Sequence, residues 1–481
     1  MIALRPILYV LGILYVALAT VMLVPAIVDV ANKNADWQAF VFSAFLTGLV
    51  GMLLAIAVEG SLKKGLNMRQ TFLLTVLAWT TIPLFGALPF FWLGLGVSDA
   101  VFESVSGFTT TGGTVLTGLD SLPPGILIWR SMMQWTGGIG IAVMGIFLLP
   151  FLRVGGMQLF QSESGEGGDK IVSRSVELIR LMVVVYGGLT ALCAAGYFVF
   201  GMTGFDAINH AMTTLATGGY STHDRSFQHY ADTGVAWVGI LFMLAGALPF
   251  VLVIQAIRGA PLQLWQDPQV RALIALIAMV SFALTVYLGA TRDLGFLDAL
   301  RAATFTVVSL ITTTGFYIGD YTQWGGPVVG LVLMLAFVGG CTGSTSGGIK
   351  IFRYLVLLAA VRSHLRRMVR PNRVTAENFG KARLTPDLSA AVLVYLVLYI
   401  STVAAVALAL AAFDIDFVTA LSASASAVGN IGTALGPLVG PDGTFGALPD
   451  PAKWILSAAM LIGRLELIVV FVLIDPDFWS N

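Results

Sequence analysis

One short unit returns four times in this chain, each time between two long apolar runs. Its clearest form is Phe102-Glu103-Ser104-Val105-Ser106-Gly107-Phe108-Thr109-Thr110-Thr111-Gly112. Over 305–315 the same offsets again carry Phe, Val, Ser, a Thr triplet and Gly. Fainter copies run over 212–218 (Met-Thr-Thr-Leu-Ala-Thr-Gly) and 426–432 (Ser-Ala-Val-Gly-Asn-Ile-Gly). Internal repeats settle an architecture before any single segment does. A short helix ending in Thr-Thr-Thr-Gly hands over to backbone whose carbonyls must turn one way, and glycine permits the positive φ this needs. Four such loops around an axis make a ring of carbonyl oxygens able to replace the hydration shell of K⁺. A Thr/Gly-rich turn arising by chance among 53 glycines accounts for one copy, but not for four at near-regular intervals.

The apolar runs decide the setting. Hydrophobic residues make up 57% of the chain and charged residues 11%, with a mean hydropathy of +0.88, which is the composition of an integral membrane protein. Formal net charge is zero, so nothing points to a nucleic-acid or polyanionic partner. A spanning helix needs about 20 apolar residues. Such runs cover 7–27, 39–58, 71–93, 126–151, 178–200, 235–257, 272–288, 328–338 (continuing brokenly to 352), 390–412 and 454–474. The first is too long for a signal-peptide core and no convincing cleavage site follows it, so it reads as a retained helix. The predicted fold is an all-α polytopic membrane protein. An N-terminal two-helix hairpin (1–68) precedes four helix–pore loop–helix repeats over 69–160, 161–260, 261–370 and 371–481, in pseudo-fourfold arrangement around one pore.

Most of the 26 basic residues fall in alternate connections, among them Lys63, Lys64, Arg69, Arg153, Lys170, Arg174 and the 362–383 link. The positive-inside rule places these connections and both termini in the cytoplasm, with all four loops facing outward. Lys33, Arg130, Arg225, Arg292, Arg301 and Lys453 fall on the outer side. Each pore loop begins near an acid (Asp99, Asp206, Asp298, Asp416), which suits helix capping and also an outer rim that concentrates cations. The polar stretch 161–170 reads as a solvated cytoplasmic loop. The basic 362–383 link either orients the chain in the membrane or docks a cytoplasmic partner or anionic lipid.

Two further stretches break the apolar pattern. Gly339-Gly340-Cys341-Thr342-Gly343-Ser344-Thr345-Ser346-Gly347-Gly348-Ile349-Lys350 interrupts a span at membrane depth, where irregular backbone is tolerated only against protein or a watery cavity. It is not a phosphate-binding loop, because Ile349 stands where lysine is required. Flexible polar backbone under a filter reads as a gate. The last span carries Arg464 and Glu466; ionisable groups at that depth are functional suspects, and neighbours two apart need different partners. The four histidines show no metal spacing, and His210 is expected to satisfy local backbone. Cys193 and Cys341 lie in apolar segments and suggest neither a disulfide framework nor a metal cluster. Nothing resembles a catalytic constellation, so no enzyme is expected.

Taken together, Thr-Thr-Thr-Gly, Ala-Thr-Gly-Gly-Tyr-Ser, Thr-Thr-Thr-Gly-Phe and Gly-Asn-Ile-Gly, with Gly-Ser-Thr-Ser-Gly-Gly-Ile-Lys and Gly463-Arg464-Leu465-Glu466, resemble the Trk/Ktr/HKT superfamily of K⁺ transporters. The extra hairpin and the length resemble its TrkH branch. The resemblance implies potassium uptake across a bacterial cytoplasmic membrane by a homodimer with a complete pore in each protomer. It also implies a cytoplasmic TrkA-type regulatory subunit that binds NAD or adenine nucleotide, with no cofactor on this chain. Carried over, the K⁺-binding filter consists of Thr110, Thr111 and Gly112; Ala216, Thr217 and Gly218; Thr313, Thr314 and Gly315; and Asn430, Ile431 and Gly432. Gly343, Ser344, Thr345, Ser346, Gly347 and Gly348 form the gate, and Arg464 is the pore charge. A serine at Gly112 is expected to leave the fold nearly intact and to weaken the preference for K⁺ over Na⁺. A carrier with alternating access is the competing reading, since broken helices support that too. Unitary current steps separate the two.

Overall fold

The computed structural model describes residues 3–61, 66–152, 168–230, 234–370, 378–379, 382–441 and 443–480. It is all-helical apart from a β pair of two residues per strand, Asn378–Phe379 with Ala382–Arg383. Helices α1 (Arg5–Ala31) and α2 (Trp37–Ala57) form the N-terminal hairpin. They pack closely because glycines face backbone: a Cβ at Gly12 would lie 2.7 Å from the Gly51 carbonyl oxygen, and the converse holds for Gly51. Small residues are what let helices in a membrane approach this closely. Next, α3 (Met68–Gly86) starts at a reciprocal cap in which Asn67 and Gln70 each accept the other's backbone N–H. The short α4 (Leu88–Trp92) follows.

From there the chain alternates long and short helices. α5 (Val97–Phe108) precedes α6 (Pro124–Leu152), and α7 (Gly168–Val199) precedes α8 (Gly204–Leu215). Then come α9 (Val235–Ala247), α10 (Phe250–Ile257), α11 (Pro261–Gln266), α12 (Pro268–Thr291) and α13 (Phe296–Ile311). The chain continues through α14 (Gly326–Leu335), α15 (Ile351–Val369), α16 (Pro386–Ala411) and α17 (Phe417–Gly429). It closes with α18 (Asp450–Arg464), α19 (Ile468–Ile474) and α20 (Pro476–Trp479). Among the described residues, six helices are long and apolar enough to cross a membrane (α1, α2, α3 with α4, α7, α12 and α16). Large apolar side chains such as Phe282, Met334 and Leu408 face outward from the fold, as a lipid surround requires.

Two expected straight spans are broken. The run 235–257 bends by 106° between α9 and α10, and the run 454–474 bends by 105° between α18 and α19. Pro249 explains the first, because it lacks an N–H and holds extended backbone at φ −64°, ψ 116°. At the second, Glu466 and Leu467 take left-handed φ values of 61° and 44°. The basic link is also shorter than expected: α15 runs on to Val369, so Arg362, Arg366 and Arg367 lie on a helix. The stretch 161–170 lies outside the described residues except for its last three, where α7 has already begun. Lys63, Lys64, Arg153 and Lys381 also lie outside them.

Two large apolar clusters make up most of the core. One gathers α7 to α14 around Tyr186, Tyr197, Phe227, Phe250 and Phe305. The other joins the hairpin to α5, α6 and α16 to α18 around Phe40, Phe102, Trp129 and Tyr399. Ile431 and Leu435, which follow α17, belong to the first cluster, so the two halves meet at the loops.

Candidate functional site

Each of the short helices α5, α8, α13 and α17 runs directly into a loop carrying one copy of the repeated unit. The acids expected at their starts have separate roles. Asp416 caps α17 by accepting the Thr419 N–H. At α8 the cap is Thr203, and Asp206 accepts hydrogen bonds from the Thr203 and Thr222 hydroxyls, both 2.6 Å. Asp99 pairs with the buried Lys453 at 2.5 Å, and Asp298 with Arg301 at 3.0 Å. A carboxylate within the first turn also complements the helix dipole, while the carbonyl end, carrying partial negative charge, faces the loops.

The loops share one backbone course. Thr110, Thr217, Thr313 and Asn430 all take left-handed φ (53°, 51°, 56°, 54°), and two residues on Gly112, Gly219, Gly315 and Gly432 do so again (87°, 80°, 81°, 90°). Between them, the N–H groups of Thr111, Gly218, Thr314 and Ile431 donate back to the carbonyls of Ser106, Thr213, Ser309 and Ser426 at 2.8–3.0 Å. These matches correct the expected alignment of the second loop by one residue. Its left-handed glycine is Gly219, Gly218 stands where Thr111 does, and Ala216 precedes the left-handed Thr217 as Thr109 precedes Thr110. Matching Thr-Gly by letters put Gly218 first; the backbone conformation separates two adjacent glycines that letters cannot. In a trans peptide the carbonyl points opposite to the N–H. The carbonyls of Thr110, Thr217, Thr313 and Asn430 therefore face away from the helices that supply them.

The four loops touch in cyclic order. A Cβ at Gly112 would lie 2.0 Å from the Gly218 carbonyl oxygen, at Gly219 1.9 Å from that of Thr314, at Gly315 2.0 Å from that of Ile431, and at Gly432 2.2 Å from that of Thr111. Each loop thus abuts the next, and the fourth closes on the first. Any side chain at these positions meets both a left-handed φ and a carbonyl at clash distance, so a serine at Gly112 cannot be accommodated without displacing the neighbouring loop. Side chains reinforce the closure. Asn430 Nδ2 donates to Thr111 Oγ1 and to the Met460 carbonyl, both at 3.0 Å. Gln134 of α6 clamps the second loop, donating to the Gly218 carbonyl at 2.7 Å and accepting the Tyr220 N–H at 3.0 Å.

Behind the first two loops lies an ion pair that sequence reasoning missed. Arg130, expected on the outer side as a topology marker, is 1% exposed and bonds Glu103 Oε1 at 2.7 Å. It also donates to the Ser221 carbonyl and stacks on Tyr220, while Glu103 accepts the Val115 N–H. Glu103 sits inside the repeated unit, and its partner lies 27 residues further on, beyond the reach of any local pattern. Beyond the ring opens a cavity of about 210 Å³, lined by Gly112, Gly219, Gly315 and Gly432 and bordered by His223 and Asp224.

On the other side of the ring runs the glycine-rich segment 339–350. It is non-helical, pinned by a parallel bridge between Val338 and Ile349, and threads through the bend between α9 and α10. The Cys341 and Thr345 N–H groups donate to the carbonyls of Ala247 and Gly246, and the Phe250 N–H donates to Gly343. The segment also holds the ring directly. The Thr217 hydroxyl donates to Thr345 Oγ1 at 3.2 Å, and the Gly347 N–H donates to Thr313 Oγ1 at 2.7 Å. Gly343 to Gly347 are thus hydrogen-bonded, and the segment is mostly buried. Arg464 is brought to them, donating to the Thr345 carbonyl at 3.0 Å. Glu466 pairs instead with Arg353, which stacks on Tyr395 at 3.5 Å, so the two groups do take different partners. Lys350 donates to the Ser346 carbonyl.

The remaining candidates fall where expected with one exception. Cys193 and Cys341 are free and buried. His210 Nδ1 meets its own helix backbone at the Asp206 carbonyl, 2.9 Å away. The exception is His223, which the fold stacks on His229 and places against Asp120. Burial pulls the His223 imidazole down, but the carboxylates of Asp206 and Asp120 outweigh it and raise it above the ordinary histidine range. For Asp120, slight burial works upward while the His223 bond holds the carboxyl below its ordinary value.

With this geometry in place, comparison with known proteins is specific. The family described as TrkH, a cation transport protein, matches residues 37–479. A Trk system potassium uptake protein, TrkI of Halomonas elongata, is 44% identical over 99% of this chain and 97% of its own length. TrkH of the same organism is 38% identical over the whole of both chains. The crystal structure of the potassium transporter TrkH from Vibrio parahaemolyticus superposes with a TM-score of 0.90 at 32% identity, covering 99% of this chain and 100% of that one.

Proposed function

The chain belongs to the TrkH family of cation transport proteins, and from that premise we propose that K⁺ enters the cell through the ring of four loops. The observation that carries this reading is the cyclic contact of Gly112, Gly219, Gly315 and Gly432 with the next loop's carbonyls. A ring closed on itself fixes the spacing of oxygens that must replace water around an ion, and selectivity depends on the number and field of such dipoles. Thr110, Thr217, Thr313 and Asn430 contribute carbonyls directed away from the helix ends, and Thr111, Gly218, Thr314 and Ile431 contribute the layer that neighbouring glycines abut. Four helix C-termini add negative potential at the entrance to the span.

The segment 339–350 is the gate in this reading. It bonds the ring through Thr217 and Thr313, and Arg464 is held against it, so moving it alters the ion's exit. Its chain runs on into α15, whose basic end at Arg362, Arg366 and Arg367 is exposed. That end is suited to a cytoplasmic TrkA-type subunit or to anionic lipid. The full assembly on this view is a homodimer in the bacterial inner membrane with both termini cytoplasmic, and any NAD or adenine nucleotide sits on the partner. Rubidium flux into proteoliposomes, with and without the cytoplasmic partner, combined with bilayer recording, tests the reading. Unitary steps with K⁺ preferred over Na⁺ support a pore. Saturable flux without unitary steps favours alternating access.

A further inference from the structure

We infer that the outer mouth carries a second cation site, for a Zn²⁺-class ion, made by Asp120, His223 and His229. These three place a carboxylate oxygen and two imidazole nitrogens within 4.8 Å of one another. Asp120 follows the first filter loop, whereas His223 and His229 follow the second, so the site joins two loops of the ring at the edge of the mouth cavity that His223 lines. It lies at the rim of the mouth above the ring, and binding of an ion there does not depend on whether K⁺ passes through the ring.

The donor set selects the ion. Two imidazoles and one carboxylate suit Zn²⁺ and related borderline metals, which accept three protein ligands and leave a position to water. Mg²⁺ and Ca²⁺ prefer oxygen alone, and K⁺ has no preference for nitrogen. The surroundings also match what such a site needs. A ligating histidine is oriented by a partner on its other ring nitrogen. Here His223 turns Nδ1 toward Asp120, while Nε2 meets the Tyr230 hydroxyl at 2.9 Å and lies 3.6 Å from Asp206 Oδ1. Asp206 is fixed in turn by the Thr203 and Thr222 hydroxyls. His223 and His229 are stacked at 3.8 Å with 3° between ring planes, which holds the two imidazoles side by side. Closing around an ion requires His229 to turn out of the stack, and its exposed position leaves it room. Asp120, with a side chain 52% exposed, is open to an ion arriving from solvent.

The test is calorimetric titration of the purified full-length chain, freed of any affinity tag, with ZnCl₂ and separately with MgCl₂. The expected result is one Zn²⁺ per chain at micromolar affinity, no Mg²⁺ binding, and a rise in thermal midpoint with Zn²⁺. Asp120→Asn and His229→Ala should each weaken binding by at least about 10-fold and abolish the thermal rise, whereas His364→Ala on α15 should leave both intact. Binding in the millimolar range only, or binding equally tight in Asp120→Asn and His229→Ala, overturns the site.

Discussion

Two glycine-rich stretches meet at Thr217 and Thr313, and they use glycine for different ends. In the ring, glycine answers a repeated demand: left-handed φ and a neighbouring carbonyl oxygen about 2 Å from where a Cβ would stand, at four equivalent places. In the segment 339–350, it mainly permits single close approaches, as where a Cβ at Gly347 would lie 2.3 Å from the Gly429 carbonyl oxygen. The charges differ as well. The ring is built from backbone and hydroxyls, whereas the segment is flanked by Lys350, Arg353, Arg464 and Glu466. A structure repeated four times can present equivalent oxygens to an ion, and a structure present once can move without breaking that equivalence. On the reading proposed above, selectivity belongs to the first and control of flow to the second.

The largest expected effect is on the charged side. Arg353→Met strands Glu466 in a largely buried position and should cost about 3–5 kcal/mol of stability. The Arg353→Met, Glu466→Leu double variant should recover most of it, measured as thermal midpoint in detergent. No recovery would mean that the Tyr395 stack, and not the ion pair, is what Arg353 supplies.

The next prediction separates the two glycines of the second loop. Gly219→Ala adds a left-handed penalty of about 1–2 kcal/mol to an overpacking cost of about 1–3 kcal/mol, and should abolish the preference for K⁺ over Na⁺ in bi-ionic reversal potentials. Gly218→Ala has its nearest contacts on the Gln134 side chain, from 2.4 Å, and no left-handed φ, and should keep more of that preference. The reverse ranking would restore the alignment by letters.

Arg464→Ala should raise basal flux without changing ion preference. It frees the Thr345 carbonyl at a cost of about 1–3 kcal/mol. A change in selectivity would move Arg464 from control into the filter. The smallest effect concerns departures from fourfold equivalence. Ser309→Ala removes a hydroxyl bond to the Phe316 carbonyl, and Ser106→Ala the matching bond to Gly113, at about 1 kcal/mol each. Ser426 has no partner for its hydroxyl among the described residues, so Ser426→Ala should cost less than either.

Much of this was legible in the chain. The repeated unit, the apolar runs and the glycine-rich interruption place the ring and the segment below it, because φ > 0 and membrane depth each leave few residue choices. Three things were not. The bend at Glu466 and Leu467 has no proline or glycine at its centre and is imposed by packing. The second-loop alignment hinges on which of two adjacent glycines turns left-handed. Arg130 with Glu103, and His223 with Asp120, join residues far apart in sequence, so only the closure of the ring brings them together.

The central claim is that one ion is held by oxygens from all four loops. Anomalous diffraction from crystals grown in Rb⁺ tests it most directly. The prediction is a peak inside the ring, bonded to oxygens of the loops containing Gly112, Gly219, Gly315 and Gly432. A peak touching only one or two loops, or none within the ring, would contradict it.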